Sequence, residues 1–87
     1  MKIAVWDTYV KREDDTIMHF DILTNENIKD EQIIYNFGNE YLKGKPFKTN
    51  ELTAKECTFC HIEQATEFIK ADIDNKGFSI IEMENCN

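Results

Sequence analysis

Glycine and proline are scarce in this chain, with three and one among 87 residues. Irregular segments lean on those two residue types, so long structureless loops are not expected. Basic residues are also in short supply. Ten Lys and Arg stand against seventeen Asp and Glu, a net charge of −7. Such a chain lacks the cationic surface that displaces phosphate counterions or holds anionic lipid, so neither nucleic acid nor a membrane is expected as a partner. No apolar run approaches the ~20 residues of a membrane span. Met1-Lys2 leads straight into Ile3-Ala4-Val5-Trp6, without the apolar stretch of about 7–15 residues that a secretory signal needs. A cytoplasmic location is therefore expected, where three cysteines are free thiols or metal ligands and not disulfides.

What is present is enough for a folded chain. Hydrophobic residues make up 41%, with six Phe, three Tyr and one Trp, too many for a disordered segment. The length implies one α+β domain over residues 1–87 with a modest core. Residues 2–10 and 17–24 read as strands joined by a charged turn, the second alternating Met18, Phe20 and Ile22 against His19 and Asp21. Asn27 and Asp30 are candidate caps for a helix running to about Leu42, with Ile33, Ile34, Phe37, Tyr41 and Leu42 as its apolar stripe. Gly44 and Pro46 stop it. Thr53-Ala54-Lys55-Glu56 has the form of a capping box and predicts a single helical turn. Lys43, Lys45, Lys48 and Lys55 near it read as a solvated connection. A short strand over 59–62 follows, then a helix from Thr66 to about Asn75 closed by Gly77, then a last strand over 78–83.

The order ββαβαβ, with short right-handed crossovers, predicts a four-stranded mixed sheet. Strands one and two are antiparallel, and the later strands run parallel through their helices. Both helices cover one face, giving two layers. In the hairpin, pairing odd residues with odd gives the better core. It sets Ala4, Trp6 and Val10 beside Met18, Phe20 and Ile22, and requires a loop of odd length with a bulge. The expected core is Trp6, Met18, Phe20, Ile22, Ile33, Ile34, Phe37, Tyr41, Ile69 and Ile73. The opposite face then exposes Ile3, Val5, Tyr9, Ile17 and Leu23.

Two groups of residues can carry chemistry. Cys57-Thr58-Phe59-Cys60-His61 matches a c-type haem attachment string, a paired-thiol redox motif and half of a zinc site. Haem is disfavoured by the missing export signal. A redox pair needs its first cysteine at a helix N-terminus, whereas Cys57 ends a helical turn. Zinc needs four converging ligands, but strand geometry drives Cys57, Cys60 and His61 apart. His19 and Cys86 are the only other candidates of the right type. The expectation is small semi-buried thiols, no cofactor and less than one equivalent of zinc or iron. The second group is Asp7, His19 and Asp21, which share one sheet face in the odd register. A histidine between carboxylates can act as an acid or base, but reads first as a half-exposed charge cluster.

The segments Met1 to Val10, Met18 to Ile22, Tyr35-Asn36-Phe37-Gly38, Glu40-Tyr41-Leu42, Cys57 to Glu63, Gly77-Phe78 and Ile80 to Met83 together resemble the small bacterial proteins catalogued as domain of unknown function 2024. The resemblance implies a small α+β fold and supplies no activity, substrate or cofactor. A binding or interaction module with an unknown protein or small-molecule partner is the first functional expectation. A metal-dependent or thiol enzyme using Cys57, Cys60 and His61 is the alternative. Two sheet edges and an uncovered apolar face favour a homodimer over a monomer, with Asp7, His19 and Asp21 at its interface.

Overall fold

A computed structural model describes residues 1–87. The elements are β1 (Lys2–Lys11), β2 (Ile17–Asn25), α1 (Glu31–Lys43), β3 (Cys57–Gln64), α2 (Glu67–Lys76) and β4 (Phe78–Glu84). The α+β class and the ββαβαβ order are those read from the sequence. The hairpin pairs odd residues with odd, as expected, and the partners are Trp6 with Ile22, Asp7 with Asp21, and Tyr9 with His19. The odd-length connection is residues 12–16, closed by Arg12 and Thr16 backbone bonding, with Asp15 at φ 71°. It needs no bulge between β1 and β2.

The sheet is antiparallel throughout, in the order β3-β1-β2-β4, and not mixed. The expected parallel crossovers fail because β3 does not return beside β2. After α1 the chain runs on through residues 44–56, long enough to carry it across the sheet to the free edge of β1. This is also the long irregular segment that the scarcity of glycine argued against. It is held by packing and side-chain bonds in place of turn residues. Leu52 is buried, its amide donates to Asn39 at 3.0 Å, and the Thr53–Glu56 box forms, with the Thr53 amide donating to Glu56 at 2.8 Å. The box closes a hydrogen-bonded turn, and β3 starts at Cys57, earlier than expected.

The helices lie on opposite faces, so the molecule has three layers and not two. Even-numbered residues of β1 and β2 (Ala4, Trp6, Val10, Met18, Phe20 and Ile22) pack with Ile34, Tyr35 and Leu42 of α1. Gly38 of α1 has no side chain to strike Leu52 and Ile22, which lets the helix approach. Odd-numbered Ile3, Val5 and Leu23 pack instead with Ile69 and Ile73 of α2. Strand alternation puts the two sets on opposite sides of the sheet. Of the expected core, Ile33 is outside, at 39% exposure. Phe37 and Tyr41 pack at the margin of the α1 core, Phe37 stacked on Phe78 and Tyr41 tilted against Phe20.

The caps follow from local chemistry. The Asp30 side chain accepts from the Gln32 amide, and Thr66 accepts from the Ile69 amide, each satisfying an orphan donor of the first helical turn. Gly77 ends α2 at φ 92°, a left-handed conformation that suits glycine. Both ends of α2 are tied to the same end of the sheet. Gln64 pairs with Lys2, and Phe78 pairs with Thr24. The helix must therefore bridge from one sheet edge to the other. Its ten residues span about 15 Å at ~1.5 Å per residue, close to the ~14 Å across three strand spacings. It lies across the strands and covers only one end of the odd face.

Candidate functional site

The other end of that face is uncovered, and the polar residues singled out in the sequence collect there. Asp7 and Asp21 are directly paired across β1 and β2, with His19 diagonally beside Asp7. His19 Nε2 lies 3.7 Å from Asp7 Oδ1 and 3.9 Å from Asp21 Oδ1. The Tyr9 ring stacks on the imidazole at 4.1 Å and 11° and fixes its plane. Burial is graded within the group. The Asp21 side chain is 10% exposed, that of His19 20% and that of Asp7 40%. Neither His19 Nε2 nor Asp21 Oδ1, both shielded from solvent, has a hydrogen-bond partner.

Two carboxylates facing each other across a strand pair repel, and their titration divides accordingly. Burial, then the hydrogen bond and charge of Asp7, push Asp21 up to about 6. Asp7, stabilised first by the proton that Asp21 shares with it and further by Cys60 and His19, is held below the usual carboxylate range. Near pH 5 the pair holds one proton between them.

The third strand joins this group to one half of the Cys57–His61 string. The pairing of β3 with β1 shifts register between Val5 and Trp6, leaving Cys60 as the extra residue of a bulge. The bulge turns Cys60 onto the open face beside Asp7 and next to His61. His61 Nδ1 is 3.1 Å from Cys60 Sγ, and its Nε2 is 2.7 Å from Glu63 Oε1, so both ring nitrogens are occupied. Cys57 sits on the other face, buried in the α1 core at 3% exposure, with Thr8 Oγ1 donating to its sulfur at 3.5 Å. Cys57, Cys60 and His61 therefore do not converge. Burial pushes the Cys57 thiol up, and partial desolvation with the charge of Asp7 does the same to Cys60, so neither is poised as a thiolate. Cys86 is buried as well, its thiol donating to the His19 and Glu84 carbonyls at 3.3 Å.

The sequence reading treated the two groups separately. Their meeting depends on β3 lying beside β1, which no local signal carries. Tyr9 and Glu63, which brace His19 and His61, were missed although both contacts are local: Tyr9 faces His19 within the hairpin, and Glu63 lies two residues from His61 on the same strand. The lysine-rich segment is a solvated connection as read. Lys45 is its one fixed member, paired with Glu82 alongside Tyr41 and holding Glu82 below its ordinary value.

The architecture defines a small α+β protein with an antiparallel sheet between two helices and a polar cluster on the half-face left open. The chain belongs to the family described as Domain of unknown function (DUF2024), whose model matches residues 1–83. Among solved structures it is similar to protein NE1680 from Nitrosomonas europaea, determined by NMR in a structural genomics programme. The two share 36% identity and a TM-score of 0.80 over 100% of both chains. No curated protein matches the chain. No helix is long and apolar enough to cross a membrane.

Proposed function

We propose that the chain is a binding module without catalytic activity, and that its contact surface is the edge strand β3. One observation carries this reading. Seven of the eight β3 residues are exposed, among them Phe59 at 47% and Ile62 at 42%. An edge strand bare on both sides is an arrangement that monomeric proteins ordinarily blunt with charge. The opposite edge, β4, does so with Glu82 and Glu84, set beside its exposed Ile81 and Met83. The β3 edge offers unpaired backbone and two large apolar side chains with one carboxylate, Glu63. The thiol-enzyme alternative gains nothing from Cys57 and Cys60, which occupy opposite faces and are both held protonated.

A second copy of the chain is the occupant that fits β3. Pairing β3 with its own copy about a twofold axis continues the all-antiparallel sheet and brings the Phe59 and Ile62 side chains of both copies together. Light scattering across a tenfold concentration series at micromolar protein tests it. The expected mass is that of two chains, falling to one chain in Ile62→Glu. A single-chain mass in the unaltered protein throughout the series rejects self-pairing.

A further inference from the structure

We propose that Asp7, His19 and Asp21 form a binding site for a divalent first-row transition cation, with Zn²⁺ as its reference ion. The site differs from the cysteine-based set that the sequence suggested, and it does not depend on self-association.

Three observations converge on it. The ligand atoms of these residues all lie within 4.8 Å of one another. Zinc–nitrogen and zinc–oxygen bonds of about 2.0–2.2 Å at a tetrahedral angle put two ligand atoms roughly 3.4 Å apart. The His19 Nε2 distances to Asp7 and Asp21, 3.7 and 3.9 Å, need contraction by only a few tenths of an ångström, within reach of small χ rotations. The second observation is the pair of orphaned atoms. His19 Nε2 and Asp21 Oδ1 are buried without a partner, and the Asp21 side chain is nine-tenths buried. Leaving a buried polar atom unsatisfied destabilises the fold, and here two of them face the same point. A shared proton on the carboxylate pair leaves the imidazole nitrogen unanswered, whereas a cation between the three residues answers both. The third is that the imidazole is already oriented, stacked under Tyr9, so little rotamer freedom is lost on binding.

The donor set of one imidazole nitrogen and two carboxylates suits zinc, iron(II) or manganese(II) better than a soft monovalent ion. It leaves the outward side of the ion for water, or for the ligand that the open face receives. The nearby His61 is not the centre of the site, because Cys60 and Glu63 already engage both its nitrogens.

The test is calorimetric titration of chelator-treated, full-length protein with ZnCl₂, alongside thermal melts with and without the ion. The expected result is one saturable equivalent per chain and a zinc-dependent rise in Tm. Both should be lost, or the affinity weakened by about tenfold or more, in Asp21→Asn and His19→Gln, and both should survive in His61→Gln. Asp7→Asn alters the most exposed of the three side chains and keeps the test decisive if a more buried replacement fails to fold. No saturable equivalent in the unaltered protein overturns the assignment. So does binding that persists in Asp7→Asn and Asp21→Asn but disappears in His61→Gln.

Discussion

The half of the odd face that carries Ile3, Val5 and Leu23 lies under α2, and the half that carries Asp7, His19 and Asp21 faces outward, although β1 and β2 build both. The pairing of β1 with β2 continues in one register from Ile3 to Lys11. What changes is cover. A ten-residue helix laid across the sheet is as wide as the sheet and no longer than one end of it, so the apolar odd residues stop where the helix stops. Val5 is the last of them on β1, and Leu23 the first on β2 to be covered. Beyond that line the same alternation delivers polar side chains to a surface that nothing shields. Tyr9, Ile17 and Ile81 remain there at 52%, 47% and 38% exposure. On the even face α1 and the 44–56 segment bury the β1 and β2 residues along their length, and the exposed apolar side chains, Phe59 and Ile62, stand at the β3 rim. A polar cluster therefore has only one place in this fold to gather.

Replacements placed on either side of that line should differ in size and in sign. The largest effect belongs to the covered half. Leu23→Ala removes a side chain that is 0% exposed, and about 2–5 kcal/mol of stability should be lost in urea unfolding. Gly77→Ala acts on the helix that makes the cover. At φ 92°, with Phe37 already close to where a Cβ would stand, a loss on the order of 1–2 kcal/mol is expected by the same measurement.

On the open half the sign reverses. The folded protein holds the Asp21 proton up to about pH 6, whereas the unfolded chain releases it near 3.8. Between those values the folded state binds more protons, so this group makes stability fall as pH rises through the window, with no further change above it. The lowered Asp7 works in the opposite sense at lower pH. Asp21→Asn removes the carboxylate repulsion, and metal-free protein should gain about 1 kcal/mol at pH 8 after allowance for solvent screening, with little change at pH 4. Melting curves at the two pH values measure the difference, and a variant less stable at pH 8 would mean that Asp21 contributes more by packing than it costs by charge. Ile81→Thr, at the rim of the open half, should change stability by no more than about 0.5 kcal/mol. A larger loss would show that this half is covered in solution.

The hairpin faces were legible because only pairing odd residues with odd buries Trp6, Phe20 and Ile22 together, and the same parity sends Asp7, His19 and Asp21 to one side. The helices were legible from their ends: Asp30, Thr66 and Gly77 act locally, and each does in the structure what its side chain or its lack of one dictates. The strand order was not. Residues 58–62 do not alternate cleanly, because the bulge at Cys60 puts a second residue on one face, and the bulge exists only in pairing with β1. The side taken by α2 was hidden for a related reason. Ile69 and Ile73 mark a buried stripe without saying which face of the sheet receives it. That Ile3, Val5 and Leu23 are as apolar as the residues on the even face was the available signal, and it was read as an uncovered surface when it marks a second core.

The bulge at Cys60 also gives the protein a built-in reporter of its own unfolding. Cys60 lies in the open at the strand surface while Cys57 and Cys86 are buried, so a maleimide or iodoacetamide can reach one sulfur long before the other two. At mildly alkaline pH, where enough of the raised Cys60 thiol ionises, a fluorophore would attach at a single defined position beside the Asp7–Asp21 pair. Slow modification of Cys57 and Cys86, both buried in the α1 core, would then clock the openings that expose that side of the sheet. The spacing of two residues that gives Cys57 and Cys60 the look of a redox couple in the sequence thus makes them, across the thickness of a strand, a fast-reacting handle and a slow-reacting clock.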